Sequence, residues 1–214
     1  MDGWSAATGA RLGGGALGQD VALTKRFHAL VNQVPDVRNA DAQHLADLAM
    51  VRAHAWEIRG GKFVPSIQKE RMQRFGEHMQ RFLEILTATA GYANEDMAWY
   101  SYAIHASVEV LNSKAEARRY LDLATEAYPG AYEFYIDVAR GYLPQWGGSI
   151  REIKAYLAWA KEDSRDTLGN ILEVKFFQYF RNKIASLSNS GRIMKTKPGD
   201  AYSQFLIMVT GAQE

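Results

Sequence analysis

Apolar residues recur with the period of an α-helix along most of the chain, and glycine or proline separates the periodic stretches. The pattern predicts eight helices, and no stretch shows the sustained alternation of a β-strand. The expected helices span residues 20–33, 41–58, 66–90, 94–111, 114–128, 131–143, 149–162 and 166–187. The fourth helix is apolar on two faces, so we expect other helices to pack on both of its sides. The sequence therefore predicts an all-α protein.

Short turns between these helices favour antiparallel hairpins. The spacing of similar residues also indicates a repeat. Tyr100 and Tyr135 are 35 residues apart, as are Ala103 and Val138. A period of this length is typical of stacked helix-turn-helix arrays. We expect one helical-repeat domain over residues 19–190, between a flexible glycine-rich segment at 1–18 and a basic loop with an apolar segment at 191–214.

The string GYLPQWGGS at residues 141–149 is the most specific motif in the chain. A proline would end one helix, the tryptophan would hold the turn against the core, two glycines would allow unusual backbone angles, and the serine would cap the next helix. Glu152, three residues after the serine, completes a capping box. The residues expected to shape the turn are Pro144, Trp146, Gly147, Gly148 and Ser149.

The same turn allows a second interpretation, since free amides at a Gly-Gly-Ser helix start can hold a phosphate or a carboxylate. The further glycine, lysine or acidic residues of phosphate-loop and dinucleotide motifs are missing from this stretch. The structural interpretation is therefore favoured.

Together with YPGAYEFYIDVA before it and IKAYLAWA after it, the turn resembles a bacterial tetratricopeptide-like family of unknown function. In that family a Tyr-Leu-x-x-Trp-Gly-Gly-Ser turn joins two helices. The likeness extends to LAMVRAHAWEIRGGKF at residues 48–63 and to the aromatic helix around Phe177. The resemblance implies antiparallel helical hairpins stacked as a tetratricopeptide-like α-solenoid, and it implies no known chemistry.

Composition excludes several functional classes. The 25 basic and 24 acidic residues give a net charge of +1, which argues against nucleic-acid or membrane-surface binding by bulk attraction. The chain has no cysteine, and its apolar runs, such as Phe205 to Val209, are far shorter than a membrane span. No signal-peptide pattern is present at the N-terminus, so we expect a cytoplasmic protein.

Charge is nevertheless uneven along the chain. Between Val174 and Gly199 there are six basic residues and no acidic one. We interpret this basic flank, residues 175–197, as a solvated helix end and loop. The alternatives are a docking patch for an acidic protein and a site for phosphate or nucleic acid.

The five histidines do not form the usual zinc motifs, and no serine lies in a nucleophile-elbow motif. We therefore expect no cofactor, no metal and no catalytic residues. Asp41, His44 and Asp47 could supply metal ligands from one helix face, but the same spacing is ordinary for a solvated face. Glu133 and Asp137 could likewise form a carboxylate pair, but we expect them to be solvated on an outer face.

His105 and Glu109 lie one helical turn apart on the doubly apolar fourth helix. A hydrogen-bonded structural pair is the favoured interpretation. The alternative is an enzyme or small-ligand site formed by these two residues and the turn at Gly147 to Ser149, because buried acid and base groups can transfer protons.

The favoured function is non-catalytic binding of a protein or peptide. Aromatic and arginine side chains are the usual anchors of interfaces, so the candidate contacts are Trp99, Tyr102, Tyr132 and Arg140. The family-level likeness further suggests an immunity or antitoxin-type protein that neutralises a bacterial toxin.

Overall fold

The computed structural model describes residues 26, 29, 39–60, 67–143 and 146–189. All regular structure in this part of the chain is helical, which confirms the all-α fold class. The helices are α1 Asn39–Arg59, α2 Lys69–Ala88, α3 Met97–Glu109, α4 Lys114–Ala127, α5 Glu133–Gly141, α6 Ile150–Asp163, α7 Arg165–Leu168 and α8 Ile171–Asn189, with a 3-10 turn at Ala90–Tyr92.

Some sequence predictions fall outside the described residues. These are the segment 1–18, Pro144, the segment 191–214 and most of the helix expected at 20–33, of which residues 26 and 29 are described and helical. Within the described ranges, each helix is too short or too polar to cross a lipid bilayer.

Glycines end or break helices at two positions where the backbone enters the left-handed region. Gly60 has φ of +69° directly after α1, at the predicted end of that helix. Gly169 has φ of +53° and separates the short α7 from α8. The prediction of one continuous helix over 166–187 is therefore wrong, because a left-handed residue interrupts helical hydrogen bonding.

The chain divides into two compact units between Tyr102 and Ala103, within α3. In the first unit α1 and α2 are antiparallel: the rings of Trp56 and Phe75 are 5.3 Å apart, and Arg71 donates a hydrogen bond to the carbonyl of Ile58. The periodic apolar face of α2 supplies the buried residues Met79, Phe82 and Leu86.

The second unit contains the rest of α3 and helices α4 to α8. Contacts between α3 and α5 run in the same direction along both helices, as do those between α4 and α6. The α3–α5 contacts are His105 with Asp137 and Glu109 with Arg140, and the α4–α6 contacts are Lys114 with Glu152 and Arg118 with Trp159. Successive helices α5 and α6 are antiparallel, as their short connection requires.

Close packing joins these helices at small residues. A Cβ added to Gly141 at the end of α5 would lie 3.0 Å from a side-chain methyl of Val108 on α3. The predicted apolar stripe of α4 is buried through Ala117, Leu121 and Ala124. Small residues at such crossings let the helix backbones approach one another.

The turn before α6 has two glycines with different requirements. Gly147 has φ of +75°, whereas a Cβ on Gly148 would overlap the backbone of Tyr142. Ser149 caps α6, since its hydroxyl accepts a hydrogen bond from the amide of Glu152 at 3.2 Å. Sequence reasoning assigned both glycines to unusual backbone angles, but Gly148 is required by close approach of the chain.

Candidate functional site

Four ionisable side chains from α3 and α5 meet inside the second unit. His105 Nε2 lies 2.9 Å from Asp137 Oδ1 and 2.7 Å from Arg140 Nη1, and Arg140 Nη2 donates to Glu109 Oε1 at 3.0 Å. The Glu109 side chain is 1% exposed, and the other three are between 14% and 17% exposed. We call these four residues the α3–α5 ion cluster.

The cluster follows from the parallel course of its two helices. His105 and Glu109 are one turn apart on α3, and Asp137 and Arg140 are one turn apart on α5, so each pair faces the other helix. Nε2 of His105 can accept a hydrogen bond from Arg140 or donate one to Asp137, but not both at once. Each charge is thus balanced by a neighbouring charge or hydrogen bond, as burial requires.

Tyr179 of α8 belongs to the same electrostatic environment. Desolvation raises the pKa of its hydroxyl; Arg140 lowers that pKa, and Asp137 and Glu109 raise it further. The tyrosine therefore stays neutral beside the cluster at physiological pH.

The cluster corrects one sequence prediction and adds to another. Asp137 was expected on a solvated outer face, which is wrong: it is mostly buried and bonded to His105. His105 and Glu109, which were expected to form a structural pair, both contact Arg140. The signal that sequence reasoning missed is the spacing of 31 to 35 residues between the partners, which matches the proposed repeat.

The candidate partner contacts occupy different environments. Trp99 is 5% exposed and its indole N–H donates to Thr89, so it is a core residue of the first unit. Arg140 is held within the ion cluster. Tyr102 packs against Phe82 at 6.0 Å between ring centroids, and Tyr132 lies under the ammonium of Lys175 at 4.6 Å. Tyr102 and Tyr132 are both partly exposed, so they retain surface that a partner can reach.

The turn before α6 uses its polar groups internally. The amides of Trp146 and Gly148 both donate to the carbonyl of Leu143. Glu152 accepts hydrogen bonds from Lys114 at 2.6 Å and from the Ser149 hydroxyl at 2.8 Å, and these two contacts lower the pKa of the Glu152 carboxyl. An anion approaching this helix start would meet the Glu152 carboxylate, which disfavours the phosphate interpretation.

The metal-site alternative named Asp41, His44 and Asp47, and the side chain of Asp41 lies outside the described part of the chain. The ring of His44 lies 5.0 Å from that of Tyr92, and Asp47 accepts a hydrogen bond from Gln43. In the described part of the chain, no three acidic or histidine side chains are close enough together to hold a metal ion.

An apolar stripe on the outer face of α8 is the surface feature that sequence reasoning missed. Ile171, Val174 and Phe177 are 55%, 51% and 44% exposed, at three-residue intervals. The buried face of the same helix carries Leu172, Phe176 and Phe180. The signal available in the sequence was that this helix carries two apolar faces, because only one of them can face the core. We call Ile171, Val174 and Phe177 the α8 stripe.

Comparison with known proteins finds no relative: no family model matches the chain, and no curated protein or solved structure is significantly similar to it.

Proposed function

We propose that this protein is a non-catalytic binding module that holds a protein partner against the α8 stripe. The main observation that supports this proposal is that three large apolar side chains in one row on α8 are exposed to solvent. Contiguous exposed apolar surface is costly in water and commonly marks an interaction site. The partner that suits this row is a protein presenting apolar side chains of its own.

The surroundings of the stripe favour a protein partner over a small molecule. Val174 and Phe177 line a shallow, widely open depression together with Lys161, Asn170 and Glu173. Lys161 and Glu173, which both line the depression, form an ion pair at 2.7 Å, so their charges balance each other. Small-molecule sites, in contrast, are usually deep and enclosed.

The parallel courses of α3 with α5 and of α4 with α6 support a helical-repeat architecture for the second unit. In such arrays equivalent helices of successive hairpins lie side by side, and the array presents an extended binding surface. We propose a tetratricopeptide-like stacking for this reason. The more specific role that we propose is immunity or antitoxin-type neutralisation of a bacterial toxin, supported by the family that the turn motif resembles.

The enzyme or small-ligand alternative has weaker support. Its ionisable groups, His105 and Glu109, are engaged with Asp137 and Arg140. The Gly147 to Ser149 turn contacts Leu143 and Glu152 instead. Mutual pairing of this kind balances buried charges at a helix interface and needs no substrate.

The experiment is an affinity comparison with the partner purified and identified from the source organism. Val174→Glu and Phe177→Glu place a charge in the stripe and should each weaken binding at least about tenfold, because a buried charge without a partner is costly. Leu111→Glu is the matched control, since Leu111 is 48% exposed, lies two residues after α3 and is outside the stripe. Equal affinities for all three variants would overturn the proposal, as would a dimer of the chain that dissociates in Phe177→Glu.

A further inference from the structure

Two histidines of the first unit face each other, one on α1 and one on α2. The ring centres of His54 and His78 are 5.0 Å apart, and the ring planes are inclined at 78°. The contact lies next to that between Trp56 and Phe75, so it belongs to the antiparallel pairing of these two helices. His54 is exposed and His78 is partly exposed, so an ion in solution can reach both rings.

The hydrogen bonding of His78 fixes which of its ring nitrogens is available. Nδ1 of His78 lies 2.9 Å from the carbonyl oxygen of Arg74. A carbonyl oxygen only accepts hydrogen bonds, so Nδ1 carries the proton and a neutral His78 has its lone pair on Nε2. Metal-binding histidines commonly have this arrangement, in which one ring N–H is bonded to a carbonyl and the other nitrogen faces the metal.

The remaining nitrogens of the two rings have no partner within the described residues. Neither Nε2 of His78 nor a ring nitrogen of His54 forms a hydrogen bond or an ion pair there. The exposed His54 side chain is therefore free to turn a nitrogen towards an ion that His78 also binds.

The separation of the rings suits two ligands of one ion. A zinc ion lies about 2.0–2.1 Å from a histidine nitrogen, which places it about 3.2 Å from the ring centre. Two rings bound at the tetrahedral angle then have their centres roughly 5 Å apart. His54 and His78 already have this separation, so the backbones of α1 and α2 need not move.

The charges around the pair indicate which class of metal ion it suits. The ionisable residues within one helical turn of either histidine are Arg52, Glu57, Arg74, Glu77 and Arg81. Carboxylates do not outnumber guanidinium groups here, so the lone pairs of the imidazoles supply the attraction. Imidazole favours zinc, copper and nickel, whereas magnesium and calcium prefer oxygen ligands.

We propose that His54 and His78 together bind one divalent transition-metal ion between α1 and α2. In the described part of the chain no third acidic or histidine side chain is close enough to join them, so water completes the coordination of the ion. The sequence prediction of no metal rested on motifs within one helix. These two histidines are 24 residues apart and lie on different helices.

Such an ion would cross-link the two helices, because each of them supplies one ligand. Metal binding to the folded pair alone stabilises that pair, since the ligands are not held together in the unfolded chain. The site is separate from the partner surface on α8, and neither proposal depends on the other.

The test is calorimetric titration of the full chain with zinc chloride, in which we expect one ion per chain. His54→Gln and His78→Gln should each weaken binding at least about tenfold, since loss of even an outer-shell partner of a metal ligand commonly costs that much. Zinc affinity should fall in acid, because protons compete for the same ring nitrogens. Magnesium chloride should give no binding heat.

His44→Gln is the matched control, since His44 also lies on α1 but its ring packs on Tyr92, at 5.0 Å, instead of on a histidine. This variant should bind zinc like the wild type. Zinc should also slow hydrogen exchange of amides in α1 and α2 and leave α5 unchanged, a response that His78→Gln should abolish.

Three results would overturn the proposal. The first is zinc binding that persists unchanged when both His54 and His78 are replaced by glutamine. The second is an equal loss of affinity in His44→Gln, which would show that zinc binds histidines of this chain without preference. The third is one ion per two chains with a zinc-dependent dimer, because the ligands would then come from different molecules.

Discussion

The guanidinium of Arg140 on α5 donates to the Glu109 carboxylate on α3 at 3.0 Å, and Glu109 is 1% exposed. This pair ties the two parallel helices of the second unit together at a point that water scarcely reaches. A buried ion pair of this kind adds little net stability over an apolar pair, but the loss of one partner leaves a buried charge uncompensated.

Arg140→Met should therefore destabilise α5 by about 3 kcal/mol or more, because Glu109 would lose its cation. The measurement is the opening free energy of α5 amides from native-state hydrogen exchange, which reports on this unit directly. Adding Glu109→Gln to Arg140→Met should restore a large part of the loss.

Arg119→Met serves as the control for this prediction. Arg119 pairs with Glu116 on the surface, where the two side chains are 52% and 41% exposed, so the loss should stay below about 1 kcal/mol. Similar losses in Arg119→Met and Arg140→Met would show that the buried cluster has no special role in stability.

Gly148→Ala should destabilise the protein by about 2 kcal/mol or more, since the added methyl would overlap the Tyr142 backbone and force the turn to move. Denaturation in urea measures the change. Gly76→Ala within α2 meets no atom within 4 Å and should instead stabilise by up to about 1 kcal/mol, because alanine is the better helix former. A Gly148→Ala variant as stable as the wild type would contradict the tight approach seen at this turn.

The raised pKa of Tyr135 predicts loss of stability in alkali. An unfolded tyrosine releases its proton near pH 10, whereas the folded hydroxyl retains it to higher pH. The unfolded state then binds fewer protons, so the free energy of unfolding falls as pH rises above about 10. Tyrosine carbon-13 shifts during an alkaline titration follow this group.

Asp163→Asn should lower the pKa of Tyr135, because it removes a negative charge while keeping a hydrogen-bond acceptor. Asp166→Asn, at an exposed position on α7, should leave the pKa of Tyr135 unchanged. If both variants titrate like the wild type, the hydrogen bond and charge of Asp163 do not contribute to the raised pKa of Tyr135.

The sequence predicted a helix boundary well where the residues that signal the boundary lie next to it. Apolar periodicity and the Gly60 stop predicted α1 closely, and Ser149 marked the start of α6, because these signals lie within a few residues of the element. Gly169 was missed, since a lone glycine inside an apolar pattern is tolerated in many helices.

The candidate sites depend on contacts between distant parts of the chain. His105 meets Arg140 across 35 residues, and the Tyr135 hydroxyl donates to Asp163 across 28. Sequence spacing on α5 placed Asp137 on an outer, solvated face. The sequence of α5 alone does not show that α3 packs against that face. The α8 stripe was missed for the same reason, as a helix with two apolar faces does not show which one is covered.

Hydroxyl-radical footprinting with and without the partner tests the central claim most directly, because it measures the solvent exposure of individual side chains. In the free protein Phe177, 44% exposed, should oxidise readily, and Phe134, 0% exposed, should not. With the partner bound, oxidation of Ile171, Val174 and Phe177 should fall at least about fivefold, as expected for apolar side chains at the core of an interface. A complex in which these three residues oxidise as they do in the free protein would contradict binding at the α8 stripe.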